Sequence, residues 1–219
     1  ESYDRLYLSL EGLLDKGERK LSVEETMQIL KRCRRPVVKC HAYSLNALNR
    51  NHPDLMRWFN DYSKRIYVVR DFRSVTPSLY HYSKTFESHK VSGISDFIKQ
   101  PYIRSPNRAA FWNEETKDWY TRENVLFLRY EDVVRQPEIV LSQLESYLEM
   151  PAIKRFPLLP HKVSSITRMR VNRFLLRNPE STAILGKSDT RRSKTLLSAE
   201  DHTFIEQEAG EMLRTLGYL

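Results

Sequence analysis

The chain has 219 residues, of which 40% are hydrophobic and 29% charged, a balance typical of one globular domain that excludes a disordered chain. No apolar run approaches the roughly 20 residues that span a bilayer, so the sequence predicts no membrane-spanning segment. The formal net charge of +8 favours an anionic partner. Because Lys and Arg are spread along the chain, a small polyanion fits this charge as well as nucleic acid does.

The predicted elements alternate between helices and strands. In the first half they are a helix over 4–15 that ends at Gly17, a helix opened by the capping box of Ser22 and Glu25, a short buried strand in 35–41, a helix opened by Pro53, and the strand 65–69 followed at once by a helix around 74–86. In the second half they are a short helix at 94–100, an amphipathic helix over 107–122, a strand at 124–130, a helix over 136–149, a loop with some helix over 151–195, and a capped helix from Ser198 to about Leu216.

Strands separated by helices indicate a parallel sheet, because parallel strands need crossover connections and these are usually helical. The sequence therefore predicts the α/β class, with helices on both faces of the sheet. No internal repeat or low-complexity linker divides the chain, so we interpret residues 1–219 as a single domain.

Charged and hydroxyl side chains gather where the strand 65–69 is followed by a helix. Ligands of parallel sheets bind outside the carboxyl ends of the strands, and a helix N-terminus at that edge attracts phosphate. Arg70 leaves the strand there and can bind an oxyanion through two N–H groups, while Ser74 and Ser78 share a helix face. A purely structural interpretation fits the spacing equally well: Arg70 pairs with an acid such as Asp71, and a serine only caps the helix.

Two segments in this half resemble the sulfotransferases that use 3′-phosphoadenosine 5′-phosphosulfate (PAPS). The stretch "RIYVVRDFRSVTPSLYHYS" is similar to the family's 3′-phosphate-binding segment, in which an Arg at the strand end and a Ser eight residues later hold the phosphate. The resemblance implies this role for Arg70 and Ser78. The stretch "VVKCH" resembles the family's earlier strand that ends in Lys-x-His, which places Lys39 and His41 at those positions.

Three later segments extend the resemblance to the end of the chain. They are "VLFLRYEDVVRQPEIVLSQLESYLEMP", similar to a strand that ends in Tyr-Glu-Asp, "SSITRMRVN", similar to the lining of the adenine pocket, and "GKSDTRRSK" with the final helix, similar to the closing loop and last helix. The nucleotide contacts that these segments imply are Tyr130, Ser164, Ile166, Lys187, Arg191 and Arg192. The resemblance implies a P-loop-nucleotide-kinase-like fold, with PAPS as co-substrate and PAP as product.

The resemblance also implies a mechanism for the Lys-x-His strand. His41 lies two residues beyond Lys39, so both side chains point to the same side of the strand. Lys39 would stabilise the sulfonate oxygens, and His41 would accept the proton of the acceptor. From the residues alone, a satisfied and partly buried histidine is the simpler interpretation. Glu131 and Asp132 begin a helix, where acids favour the helix dipole, so we predict no metal.

One family feature is missing from the sequence. The family's first phosphate site is a loop with Gly, Ser and Lys, and none of the glycines, at 12, 17, 93, 186, 210 and 217, lies in such a loop. We expect that loop to precede residue 1, and the closing loop also lacks the usual Trp. The alternative is a non-catalytic PAP-binding or scaffold protein of the same fold.

The predicted function is sulfonate transfer from PAPS to a hydroxyl or amine of a small-molecule or carbohydrate acceptor, with no nucleic-acid partner. Two arginines, Arg104 and Arg108, would favour an acidic or sugar acceptor. Four aromatic residues would suit an apolar acceptor equally well, and these are Tyr43, Phe86, Tyr102 and Phe111. The two cysteines, Cys33 and Cys40, have six residues between them and fit neither a metal site nor a disulfide framework, which favours the cytoplasm. The alternative location is the lumen, as a catalytic domain whose anchor has been removed.

Overall fold

The computed structural model describes residues 7–9, 22–32, 37–40, 45–86, 92–152 and 196–219. In chain order the elements are β1 (Tyr7–Ser9), α1 (Val23–Arg32), β2 (Val37–Lys39), α2 (Leu45–Asn51), α3 (Pro53–Tyr62), β3 (Arg65–Val69), α4 (Phe72–Phe86), α5 (Ile94–Lys99), α6 (Arg108–Tyr120), β4 (Val125–Arg129), α7 (Tyr130–Arg135), α8 (Pro137–Leu148) and α9 (Ala199–Thr215). The chain divides into a first unit, Glu1–Arg65 with Asp118–Val125, and a second unit, Ile66–Lys117 with Leu126–Leu219.

The strands of the first unit, β1 and β2, pair in parallel, with Tyr7 opposite Val37 and Ser9 opposite Lys39. The helix predicted over residues 4–15 is therefore wrong at β1, because pairing with a distant strand overrides the local helical spacing. The strand predicted at residues 35–41 is confirmed at β2. Its predicted burial is wrong, since Val37 is 58% exposed and Val38 only half-buried.

Helix α1 of the first unit begins at the predicted capping box. The Ser22 hydroxyl accepts the Glu25 backbone N–H at 3.1 Å, and the Glu25 carboxylate accepts the Ser22 N–H at 2.9 Å. The apolar faces of the helices meet in a core of Leu30, Leu48, Leu55 and Met56, against which Trp58 and Trp119 pack. This core explains why the two tryptophans are partly buried on helix faces.

Strands β3 and β4 are hydrogen-bonded neighbours, and the rings of Tyr67 and Phe127 lie 5.3 Å apart across them in the second unit. Helix α9 supplies the middle of the core of this unit. Its buried residues Ile205, Ala209 and Leu213 recur at helical spacing and form one cluster with Phe72 of α4 and Ile98 of α5. The predicted capped helix from Ser198 is thus confirmed, and the structure shows that its cap is a capping box with Asp201.

The two strand ends of this unit carry predicted site residues. Arg70 follows the last residue of β3, and Tyr130 follows the last residue of β4 as the first residue of α7. Since β3 and β4 are neighbours, a side chain at each strand end can contribute to one site. No helix in the described residues is long and apolar enough to cross a membrane.

Candidate functional site

The turn between β3 and α4 owes its geometry to Asp71. Its carboxylate accepts the backbone N–H of Arg73 at 2.9 Å, which caps α4, and also binds the Arg73 guanidinium at 2.8 Å. Asp71 therefore pairs with Arg73 rather than with Arg70 in the described part of the chain, contrary to the structural interpretation of the spacing. The cap uses the backbone N–H of Arg73, so this donor is not available to an anion.

Arg70 lies against Tyr130. Its guanidinium carbon is 4.8 Å from the centre of the Tyr130 ring, a cation–π distance that leaves the positive charge intact. The Nε of Arg70 is buried and has no hydrogen-bond partner among the described residues. A buried donor without a partner costs free energy unless a ligand satisfies it. The pair therefore offers a positive charge and one free donor to an anionic ligand group.

The hydroxyls of α4 differ in what they contact. Thr76 is fully buried and its hydroxyl donates to the carbonyl of Phe72 at 2.6 Å, so it is used inside the helix. Ser78 is exposed to solvent two turns into the helix. Ser78, to which the family resemblance assigns a role, therefore has a hydroxyl that a ligand can reach, whereas the hydroxyl of Thr76 is not accessible.

The remaining predicted site residues are either in the first unit or not described. Lys39 is exposed at the end of β2. His41, together with Ser164, Ile166, Lys187, Arg191 and Arg192, lies outside the described residues. The structure thus brings together Arg70 and Tyr130 of the predicted set.

Arg108 has a structural environment in the second unit. The residue is only 4% exposed. Its guanidinium carbon lies 4.0 Å from the ring centre of Phe97 and 4.2 Å from the ring centre of Tyr102. A cation stacked between two rings in the interior is engaged by the fold. The predicted use of Arg108 for an acidic acceptor is therefore not supported by its surroundings, whereas Arg104 is exposed.

Two residues beside the Arg70–Tyr130 pair were not predicted as site residues. The Tyr218 hydroxyl donates to Glu131 at 2.7 Å, and the Glu131 carboxylate also accepts the backbone N–H of Asp71 at 3.3 Å. Burial, together with the hydrogen bond to Glu131, raises the pKa of Tyr218 well above its ordinary value, so its phenol stays protonated. The sequence carries one local signal near Tyr218, Gly217, a residue type that often follows the end of a helix.

A family model for the sulfotransferase domain matches residues 19–209, most of the chain. The chain belongs to the sulfotransferase domain family. Among curated proteins, mouse sulfotransferase 2B1 is 28% identical to this sulfotransferase-family chain over 122 residues, which cover 49% of the chain and 36% of the mouse protein. The rabbit (Oryctolagus cuniculus) amine sulfotransferase is 25% identical over 93 residues, covering 41% of the chain and 31% of that protein. The matches thus span about a third of these relatives.

Solved structures share the fold of this chain. The crystal structure of mouse sulfotransferase SULT7A1 complexed with PAP has a TM-score of 0.62 at 15% identity. The match covers 96% of the present chain and 84% of the SULT7A1 chain. The structure of retinol dehydratase in a complex with retinol and PAP has a TM-score of 0.54 at 17% identity. The match covers 93% of the present chain and 64% of the retinol dehydratase chain. These likenesses confirm the predicted α/β class and sulfotransferase fold. In the described residues, no three His, Cys, Asp or Glu side chains cluster as metal ligands.

Proposed function

We propose that this sulfotransferase-family chain binds PAPS and transfers its sulfonate to a hydroxyl or amine acceptor. One observation carries the proposal: the Arg70 guanidinium stacks on Tyr130 at the ends of two neighbouring strands, with a buried Nε that has no partner among the described residues. A phosphate beside an adenosine would complete such a pair. The structural relatives whose descriptions name bound PAP support this choice of ligand.

In this proposal the nucleotide is held from several parts of the chain. Arg70 and Ser78 bind the 3′-phosphate, the first through a charge-assisted hydrogen bond and the second through its exposed hydroxyl. Tyr130 contacts the adenosine. The family resemblance adds the remaining contacts, which are Ser164 and Ile166 at the adenine and Lys187, Arg191 and Arg192 in the closing loop.

The proposed reaction is an in-line displacement at sulfur. The acceptor oxygen or nitrogen forms a bond to sulfur while the bond between sulfur and the 5′-phosphate oxygen breaks, and PAP leaves with that electron pair. His41 accepts the proton that the acceptor loses, and Lys39 stabilises the charge on the sulfonate oxygens. As in phosphoryl transfer, most of the rate enhancement comes from positioning and charge stabilisation.

The acceptor class is proposed from the relatives. One relative is named an amine sulfotransferase, and the retinol dehydratase structures contain retinol or androsterone. These names favour small organic acceptors with a hydroxyl or amine. Carbohydrates stay in the set, because acceptor pockets of this fold come from variable loops.

Radiolabelled sulfonate transfer tests the proposal. The full-length protein is incubated with labelled PAPS and a panel of phenols, alcohols, amines and sugars, and PAP binding is measured in parallel by calorimetry. We expect transfer to at least one class, with PAP as product. Inactivity toward the whole panel with PAP still bound would favour the non-catalytic alternative. Absence of both transfer and PAP binding would contradict the proposal entirely.

A further inference from the structure

The end of α9 delivers one side chain to the neighbourhood of the Arg70–Tyr130 pair. The Tyr218 N–H donates to the Leu213 carbonyl at 2.8 Å and the Gly217 N–H to the Arg214 carbonyl at 2.9 Å, the two bonds of a Schellman motif. Gly217 has a φ of +70°, which a residue with a side chain rarely adopts. This turn reverses the backbone and fixes the place of Tyr218.

Arginines on two different elements hold Tyr218 there. The guanidinium of Arg73 donates to the Tyr218 carbonyl at 2.6 Å, and the same guanidinium binds Glu206 at 3.3 Å. The guanidinium carbon of Arg129 lies 5.1 Å from the Tyr218 ring centre, and its Nη1 donates to the Leu216 carbonyl at 2.7 Å. Tyr218 is thus fixed at its backbone and at its ring, close to the chain terminus.

The hydroxyl of Tyr218 connects this anchor to the two strand ends through one carboxylate. Glu131 accepts the Tyr218 hydroxyl on Oε2 and the Asp71 backbone N–H on Oε1. Asp71 directly follows Arg70, and Glu131 directly follows Tyr130. The Glu131 side chain therefore joins the two strand ends: Glu131 itself follows Tyr130, and its carboxylate binds Asp71, which follows Arg70.

We propose that Tyr218 is a positioning residue of the nucleotide site, acting through Glu131 on the Arg70–Tyr130 pair; the inference rests on the proposed function. With the hydroxyl in place, the Glu131 carboxylate has one rotamer and keeps the Asp71 amide, and with it Arg70, in register with Tyr130. Without the hydroxyl, the carboxylate turns toward water, and the two strand ends lose their common acceptor. The 3′-phosphate then meets a guanidinium that is less well placed.

Tyr218→Phe tests this role, because it removes the hydroxyl and keeps the ring. We expect PAP to bind roughly 3- to 10-fold more weakly by calorimetry. AMP, which lacks the 3′-phosphate, should change little. The matched control is Tyr62→Phe, at a tyrosine that is 74% exposed, and its PAP affinity should equal that of the parent.

A double-mutant cycle separates positioning from a merely structural role. If Tyr218 acts on PAP through Arg70, the effect of Tyr218→Phe should vanish in an Arg70→Ala background. An equal loss of PAP affinity in both backgrounds would overturn the proposal, as would an unchanged affinity in the single variant.

Hydrogen exchange of the ligand-free protein distinguishes failure of this inference from failure of the proposed function. Tyr218→Phe should speed exchange at Asp71 and its neighbours but not in α5. If the parent binds no PAP, the proposed function fails, while faster exchange at Asp71 still supports the link through Glu131. Unchanged exchange at Asp71 would overturn that link whatever PAP does.

Discussion

Arg70 and Arg73 are three residues apart, yet their guanidinium groups have different surroundings. Arg73 is held by Asp71, Glu206 and the Tyr218 carbonyl, and its hydrogen bond to Asp71 raises its pKa further. Arg70 contacts the Tyr130 ring and has a buried Nε without a partner in the described residues. The charge of Arg73 is therefore neutralised by contacts within the protein, whereas the charge of Arg70 is available to a ligand.

Arg70→Ala should therefore weaken PAP binding more than Arg73→Ala does. Loss of one charge-assisted contact should cost about 1.5–3 kcal/mol of binding free energy. Arg73→Ala should lower the free energy of unfolding, since it breaks contacts inside the protein, and should weaken PAP binding only indirectly, through the loss of the Tyr218 anchor. Calorimetry with PAP and urea denaturation of both variants measure the two effects. Equal losses of PAP affinity would show that the assignment of Arg70 is wrong.

His41 carries the catalytic prediction, although it lies outside the described residues. If it accepts the proton of the acceptor, His41→Ala in the full-length protein should lower turnover by roughly 10²–10⁴-fold. PAP affinity should hardly change, because the imidazole would face the acceptor. The control is His202→Ala, at a half-buried histidine of α9. Near-normal turnover of the His41 variant on any accepted substrate would remove His41 from the mechanism.

At the scale of the element, helix α9 depends on the capping box at its start. The Ser198 hydroxyl accepts the Asp201 N–H at 3.0 Å, and the Asp201 carboxylate accepts the Ser198 N–H at 3.0 Å. Ser198→Ala should lower the free energy of unfolding by about 0.5–2 kcal/mol. Thr203→Ala, at an exposed hydroxyl in the same helix, is the control and should change it by less than about 0.5 kcal/mol. If urea denaturation gives equal losses of unfolding free energy for Ser198→Ala and Thr203→Ala, the cap does not have this importance.

The same cap predicts a pH dependence. Burial acts to raise the pKa of Asp201, but hydrogen bonds from Ser95 and Ser198 outweigh it, and the pKa is lowered. Because the pKa is lower in the folded than in the unfolded state, the carboxylate stabilises the fold above the unfolded pKa. That stability is lost as the pH falls through the folded pKa.

Asp201→Asn should consequently be less stable than the parent at pH 7, with a difference that shrinks below about pH 4. Urea denaturation over a pH series measures the difference. A gap that stays constant into acid would show that the carboxylate charge at Asp201 does not contribute.

The sequence predicted those helices whose start signals are local. The capping boxes at Ser22 and Ser198 lie within four residues of what they cap, so the pattern was sufficient. Helix α2 was missed because its cap is distant: the Asn46 N–H donates to Asp118, 72 residues away, at 3.2 Å. Strand β1 was predicted as a helix for the same kind of reason, since its partner β2 lies about thirty residues later.

In the candidate site, too, features with a local sequence signal were predicted and contacts between distant residues were not. Arg70 was predicted because it follows a strand that the sequence indicates, and the resemblance implied its role as well as that of Tyr130. The contact between Tyr218 and Glu131 joins residues 87 positions apart, so no local pattern indicates it. The left-handed backbone of Gly217 turns the chain so that Tyr218 reaches Glu131, which the spacing of residues alone does not reveal.

At the scale of the whole molecule, the net charge of +8 fits several anions, and the central claim is that the nucleotide with a 3′-phosphate is preferred. A ligand that binds only the folded state stabilises it by linkage, by about 2.7 kcal/mol at about 100 times its Kd. A nucleic-acid-binding protein would instead show steep salt dependence and little preference between small anions.

Thermal unfolding with PAP and with AMP, for the parent and for Arg70→Ala, tests this claim most directly. The two ligands differ at the 3′-phosphate, the group that Arg70 is proposed to hold, so each is the control for the other. We expect PAP to raise the Tm of the parent clearly more than AMP does, and this difference to disappear in Arg70→Ala. Equal shifts by PAP and AMP in the parent, or no shift by either, would contradict the account.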